Sequence, residues 1–357
     1  MKNVKAKLML ASVLVLMLIV GTACGSSNAV KEGEDGGSSS GQTIEFRLGH
    51  ENSTNHVQHA VMTAFADEAA KETENRITYK IYPGGALGSP KESYNNVSAG
   101  IMDAGWGIQG YTPGKFPIHG VVNLPLPEGD VTATDLSVIA QKLYDKFPEI
   151  QAEYADVKPF WFHGVDPYMI VTKGKAVRSF ADIKGLKLKT PHPEGSAMIE
   201  AWGATPINLP APEMYDALQK GVIDGGVLPL SAIKDFNLFD SLDYVTYGNF
   251  NGNLFFMVMN KNSWNKIPAE DQKTIEGLIG VPMAQKAGEA YDKQAELAEK
   301  EAKEAGIEFI TLPDEELKKF KDGAKVVSEN WIKDMEDKGV PGQEIYDEFV
   351  RLVQGGE

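Results

Sequence analysis

The sequence predicts an α/β fold in two lobes, on three observations. Short alternating stretches take turns with segments of helical periodicity, that rhythm runs once from about 43 to 105 and restarts after Val157, and both blocks are of similar size. About 315 residues follow the opening segments, enough to bury two cores of ordinary size. Cys24 is the single cysteine, so disulfides and thiolate metal sites do not hold such a fold together.

The first residues read as a leader. Lys2, Lys5 and Lys7 precede an apolar stretch from Leu8 to Val20, which is short for a membrane span and is followed by small residues ending at Cys24. This segment resembles a bacterial lipoprotein signal, in which the cysteine is acylated and becomes the new N-terminus. Next, "GSSNAVKEGEDGGSSSG" is built of Gly, Ser and acidic residues, the composition of a flexible tether with a reach of about 23 Å. With the leader's three lysines gone, 35 basic and 50 acidic residues leave a mature charge of −18, a balance that excludes a nucleic-acid surface.

In the body, "TIEFRLGHE" alternates as a strand, and a helix follows in which Val57, Val61, Met62, Phe65 and Ala69 recur at helical spacing, with Thr54 or Asn55 as its cap. "RITYKIYPGGAL" is a second strand stopped by Pro83 and two glycines, and "SPKESYNNVSAGIMDAGWG" is helical. The second block runs "VKPFWFHG", "PYMIVTK" and "IKGLKLKT", then a helix over "EGSAMIEAWG", the strand "TPINLP" and the helix "APEMYDALQKG". "YVTYGNFNGNLFFMVMN" reads as one long strand region, and Pro268 to Gly306 as helix interrupted at Gly280 and Pro282. In "IKGLKLKT" the alternation puts Lys187 and Lys189 on one strand face.

No catalytic motif survives inspection. "GWGIQG", Gly105 to Gly110, has dinucleotide-turn spacing but is followed by Pro113 and Pro117 where a helix should open. "SAIK", Ser231 to Lys234, has the Ser-x-x-Lys spacing of penicillin-binding enzymes without their partner motifs, and is expected as a solvent-facing helix. His50, His56, His59, His119, His163 and His192 show no metal-ligand spacing and are expected on surfaces or loops. No metal and no cofactor is expected, and the gap where a nucleophile should be speaks for a binding module rather than an enzyme.

"YPGGALGSPKESYNNVSAGIMDAG" (82–105), "YTPGKFP" (111–117), "FADIKGLKLKT" (180–190), "WGATPINLPAPEMYDALQKGVIDGG" (202–226) and "MNKNSWNKIPAEDQ" (259–272) together resemble the solute-binding proteins of tripartite ATP-independent periplasmic (TRAP) transporters. The resemblance implies a two-lobed periplasmic-binding-protein fold, type II-like, with crossing hinge strands and a long helix spanning both lobes. It implies a signal over 1–23, a lipid-anchored tether over 24–41, a first lobe over 42–166 to which 255–294 returns, and a second over 167–254 on which 295–357 packs. It implies hinge closure around a solute, delivery to membrane permease subunits, and an extracytoplasmic place at the membrane through lipid on Cys24.

In that family a strand arginine commonly meets the solute carboxylate, and Lys189 stands at its place here. An ammonium is a point charge, not a planar fork, so the exchange re-aims acid recognition. Val227 and Leu228 stand where relatives often carry Glu-Asn, and Tyr168 where some carry a further arginine. The expected pocket has one cation and otherwise aromatic or aliphatic walls, from Trp106, His163, Tyr168 and Leu228, with the "GHEN" loop at His50 closing it. A small monocarboxylate with an apolar or aromatic body is the expected solute. A surface lipoprotein hydrolase and a sensory receptor for a membrane kinase are the alternatives.

Overall fold

The computed structural model describes residues 43–356; the expected signal, the Cys24 anchor and the tether lie outside the described residues. The first block comprises β1 (Ile44–Gly49), α1 (Val57–Glu72), β2 (Ile77–Tyr82), α2 (Ser93–Ser98), β3 (Ala104–Ile108), α3 (Ala133–Lys146), α4 (Pro148–Glu153) and β4 (Val157–His163). The second comprises β5 (Met169–Thr172), β6 (Lys187–Thr190), α5 (Pro193–Ala201), β7 (Thr205–Asn208), α6 (Met214–Gln219), β8 (Gly225–Leu228), α7 (Leu230–Asp235) and β9 (Tyr244–Thr246). The chain then forms β10 (Phe255–Asn260), α8 (Lys261–Trp264), α9 (Ala269–Leu278), α10 (Val281–Glu304), β11 (Glu308–Ile310), α11 (Asp314–Asp337) and α12 (Gly342–Val353).

Two mixed sheets result, in the order β2-β1-β3-β10-β4 and β11-β9-β5-β8-β6-β7. Each combines parallel strands joined through helices with antiparallel strands that arrive from the other block. The central strands β5, β8 and β10 are buried at every residue, as strands covered on both faces must be. Helix α1 turns Val61, Met62, Phe65 and Ala69 inward, and the Phe65 ring meets Tyr79, Phe160 and Trp161. Its cap is His56, whose Nδ1 accepts from Gln58 N at 3.1 Å, two residues later than Thr54 suggests.

The chain passes between the sheets at 164–168 and at 247–254, and these crossings hydrogen-bond to each other: Tyr168 N donates to Asn251 O at 3.0 Å and Phe250 N to Tyr168 O at 2.9 Å. The expected long strand region is therefore two strands in different sheets, split at a crossing rich in Gly and Asn. Likewise the end of the expected helix, at 104–107, is strand β3, because "AGWGI" must pass between α2 and β10 on bare glycines. A Cβ on Gly107 would lie 2.6 Å from the Phe256 ring.

The helical run from Pro268 breaks at Gly280, which takes φ +71° and donates its N–H to Phe160 O at 2.7 Å. Helix α10 also ties the two halves. At one end Asp292 accepts from Ala133 N and Thr134 Oγ1, capping α3, and at the other Glu299 and Glu301 hold Tyr247 and Lys234. Helix α11 packs on α5, where Trp202 Nε1 donates to Phe320 O at 2.9 Å. Helix α12 turns back to α3, with Lys146 paired to Glu348 at 3.1 Å, so the last helix leaves the second lobe to which 295–357 was expected to belong. Among the described residues no helix is long and apolar enough to cross a membrane.

Candidate ligand-binding site

A small cavity of about 40 Å³ lies between the sheets. From the first sheet it receives Trp106 and Ile108, which share the inner face of β3 because they are two residues apart, and Phe255 at the start of β10. From the second it receives Lys189 and Leu228. Lys189 is paired in register with Gly226 on β8, so no side chain crowds its stem from that strand position, and Leu228 lies two residues further along the same face. Tyr168 and Asn253 come from the crossings, Tyr291 from α10, and Ser231 and Asp235 from α7.

Lys189 is 3% exposed, and among the described residues it makes no side-chain hydrogen bond or ion pair. Burial lowers its pKa to about 8, against the opposing pull of Glu51. Its neighbour on the same face, Lys187, sits at the strand entrance and donates to Gly221 O at 2.7 Å. An unpaired buried ammonium is costly, and the charge facing the cavity calls for an anion.

Trp106 and Tyr168 line the cavity with Leu228. His163 does not: it lies behind Trp106, accepting from Trp106 Nε1 at 2.8 Å while its Nδ1–H donates to Gly164 O at 2.8 Å. Burial lowers its pKa to about 4, so this neutral ring fixes the indole from outside the cavity lining. His50 is also one layer back. Its Nδ1 accepts from Asn52 N at 3.2 Å and its Nε2–H donates to His59 Nδ1 at 3.0 Å, which holds the loop that presents Glu51 and Asn52 to the cavity.

The expected walls of one cation and apolar surface need correction. Glu51, Asn52, Asn253, Ser231 and Asp235 also line the cavity. The side-chain oxygens and nitrogens of Glu51, Asn52 and Asn253 are buried without hydrogen-bond partners. Asp235 bridges the halves: its Oδ1 accepts from Val57 N at 3.2 Å and from Gln294 Nε2 at 2.6 Å, and burial pushes it up to about 7. The quoted "GHEN" contained Glu51 and Asn52, yet only the fold shows that its acid turns inward. Phe255, Tyr291 and Asp235 have no local signal at all, because partners up to 178 residues away assemble them.

Two further expectations fail for one reason, burial by distant elements. Ser231 of "SAIK" is 1% exposed, donates to Asp166 Oδ1 at 2.5 Å, and lines the cavity instead of facing solvent. Five histidines, at 50, 56, 119, 163 and 192, are buried rather than superficial. Gly110 of "GWGIQG" is explained by approach, not by phosphate: a Cβ there would lie 2.4 Å from His192 Cβ of the other block. Among the described residues no three His, Cys, Asp or Glu side chains are grouped to hold a metal. A larger open groove of about 810 Å³ lies between α11, α12 and 125–128, where Lys318 and Lys325 are both paired with Asp322.

Comparison with known proteins agrees with this architecture. The family model for bacterial extracellular solute-binding protein, family 7, matches residues 48–334. The chain is 25% identical over 303 residues to the 2,3-diketo-L-gulonate-binding periplasmic protein YiaO of Escherichia coli, covering 83% of this chain and 88% of that one. A TRAP solute binding protein from a marine metagenome, specific for aromatic acid ligands, matches with TM-score 0.82 and 28% identity over 87% of this chain and 98% of its own. One from Rhodoferax ferrireducens, in complex with copurified benzoate, matches with TM-score 0.82 and 26% identity over the same shares. Such proteins bind small organic acids outside the cytoplasm, work with a membrane permease and are not enzymes. This chain belongs to family 7 of the bacterial extracellular solute-binding proteins, the solute receptors of TRAP transporters.

Proposed function

We propose that this receptor captures a small monocarboxylate with an apolar or aromatic body between its two lobes and delivers it to a TRAP permease. One observation carries the reading: Lys189, the single lysine or arginine on the cavity wall, is buried without a partner beside Trp106, Tyr168, Phe255 and Leu228. A carboxylate on the ammonium satisfies the charge, and an aromatic or branched body covers the apolar remainder. The aromatic acids named for two structural relatives support the same class.

The test is a thermal-shift screen of the protein against small organic acids, with sugars, amines and metals as controls, because a ligand of the folded state raises the melting point. Stabilisation by aromatic or apolar monocarboxylates is the expected result. Stabilisation only by a polyol, an amine or a metal defeats the reading. The lipid anchor expected at Cys24 belongs to the same proposal, and Cys24→Ser that still sediments with membranes would reject it.

A further inference from the structure

The cavity holds a second ionisable group whose burial has no counterpart in its hydrogen bonding. Glu51 lines the cavity, both its carboxyl oxygens are buried without a hydrogen-bond partner, and it forms no ion pair with Lys189. A carboxylate in that position would be one of the least favourable arrangements a protein interior offers.

Charge counting sharpens the problem. The groups around Glu51 are His50 in its own loop, His59 through His50, His56 at the start of α1, Tyr111 of the 109–111 turn, Tyr291 of α10, Lys189 of β6, and Asp235 on the second lobe's wall. Burial lowers His50 to about 4 and His56 to about 3, so neither supplies a positive charge at neutral pH. Lys189 is thus the one cation available. If Glu51 were ionised, Lys189 would already be balanced, and a ligand carboxylate would bring a second negative charge against a single positive one. Two carboxylates sharing a buried site retain a proton between them.

We propose that Glu51 keeps a proton when the cavity holds a monocarboxylate, and that its carboxyl O–H serves there as a hydrogen-bond donor to the ligand. This rests on the acid-receptor reading above and adds a specificity-determining residue to it. A neutral Glu51 leaves the Lys189 ammonium free to meet one carboxylate, and a second carboxylate on the ligand has no further lysine or arginine on the cavity wall to meet. Burial pushes the Glu51 carboxyl up to about 8, opposed by Lys189, which is the direction the proposal requires. A bound anion raises it further, so the affinity for a monocarboxylate is highest below that value. It then falls by up to about tenfold per pH unit between the free and bound pKa values of Glu51.

The experiment uses benzoate as the probe acid and calorimetric titration of the whole protein from pH 6 to 9. Glu51→Gln keeps the shape and cannot ionise. It is expected to bind benzoate within about threefold of the wild type at pH 7 and to gain several-fold on it, up to about tenfold, by pH 9, since a carboxyl titrating at about 8 weakens binding by at most about that much over this range. A loss of tenfold or more at pH 7, or a ratio that stays constant from pH 6 to 9, overturns the proposal. If Glu51→Gln does not fold, infrared difference spectra of the wild type at pH 8 decide. Benzoate should increase a protonated-carboxyl carbonyl band at the expense of a carboxylate band, and no such gain refutes the proton on Glu51. A wild type that binds benzoate and related monocarboxylates at no pH brings down the receptor reading and this inference together, whereas binding with the wrong Glu51 behaviour removes only the inference.

Discussion

The two walls of the cavity are built on opposite principles. On the first-lobe side Trp106 is anchored to the neutral His163, which is anchored to the Gly164 carbonyl, and the indole stacks on Phe255 at 5.1 Å between ring centroids. On the second-lobe side Lys189 stands buried beside a glycine with no polar partner of its own. The aromatic part of the first wall is complete without a ligand; the second wall is not. A receptor needs both, since a rigid apolar face gives shape at low entropic cost and an unsatisfied charge gives the solute something that water-filled space cannot replace.

That contrast can be broken from either side. Trp106→Ala should act mainly on folding, costing about 3–5 kcal/mol through the cavity it leaves and the acceptor it strands on His163. Denaturant unfolding checks it, and a loss below about 1 kcal/mol would mean that the first wall is as loose as the second. Lys189→Ala should act mainly on binding, weakening a monocarboxylate by about 2–5 kcal/mol while leaving the ligand-free protein as stable as before or more so, because an uncompensated buried charge has been removed. Unchanged affinity in calorimetry would take Lys189 out of the site. Lys187→Ala, on the same strand face but bonded to Gly221 at the surface, should change affinity less than about twofold. A large effect there would show that strand position does not separate the two lysines.

Much of this was legible from local pattern. Alternation in "TIEFRLGH" and "RITYKIY", the helical spacing of Val61, Phe65 and Ala69, and the glycine stop at 280 all describe interactions within a few residues, and the structure follows them. Where two elements from different blocks compete for one stretch, local pattern failed. "AGWG", read as the end of a helix, becomes strand because β1 and β10 offer it two sheet edges, and "YVTYGNFNGNLFF" is cut in two because its ends belong to different sheets. The site divides in the same way. Lys189, Leu228, Tyr168 and Trp106 lie on strands or at their ends, where alternation and the family resemblance name the inward side, whereas His50 and His163 support the cavity from behind it.

The sequence by itself determined the α/β class, the absence of disulfides, the acidic surface that keeps nucleic acid away, and that Lys187 and Lys189 share one face of β6. Those follow from composition and from periods of 2 and 3.6 residues, which need no knowledge of distant neighbours. Only the tertiary structure decided that Glu51 faces Lys189 across the same cavity, that Asp235 bridges from α7 to the start of α1, and that His163 holds a tryptophan rather than a solute. Each of those depends on which polar groups are removed from water together, and burial is a property of the whole packed chain, not of any stretch of it.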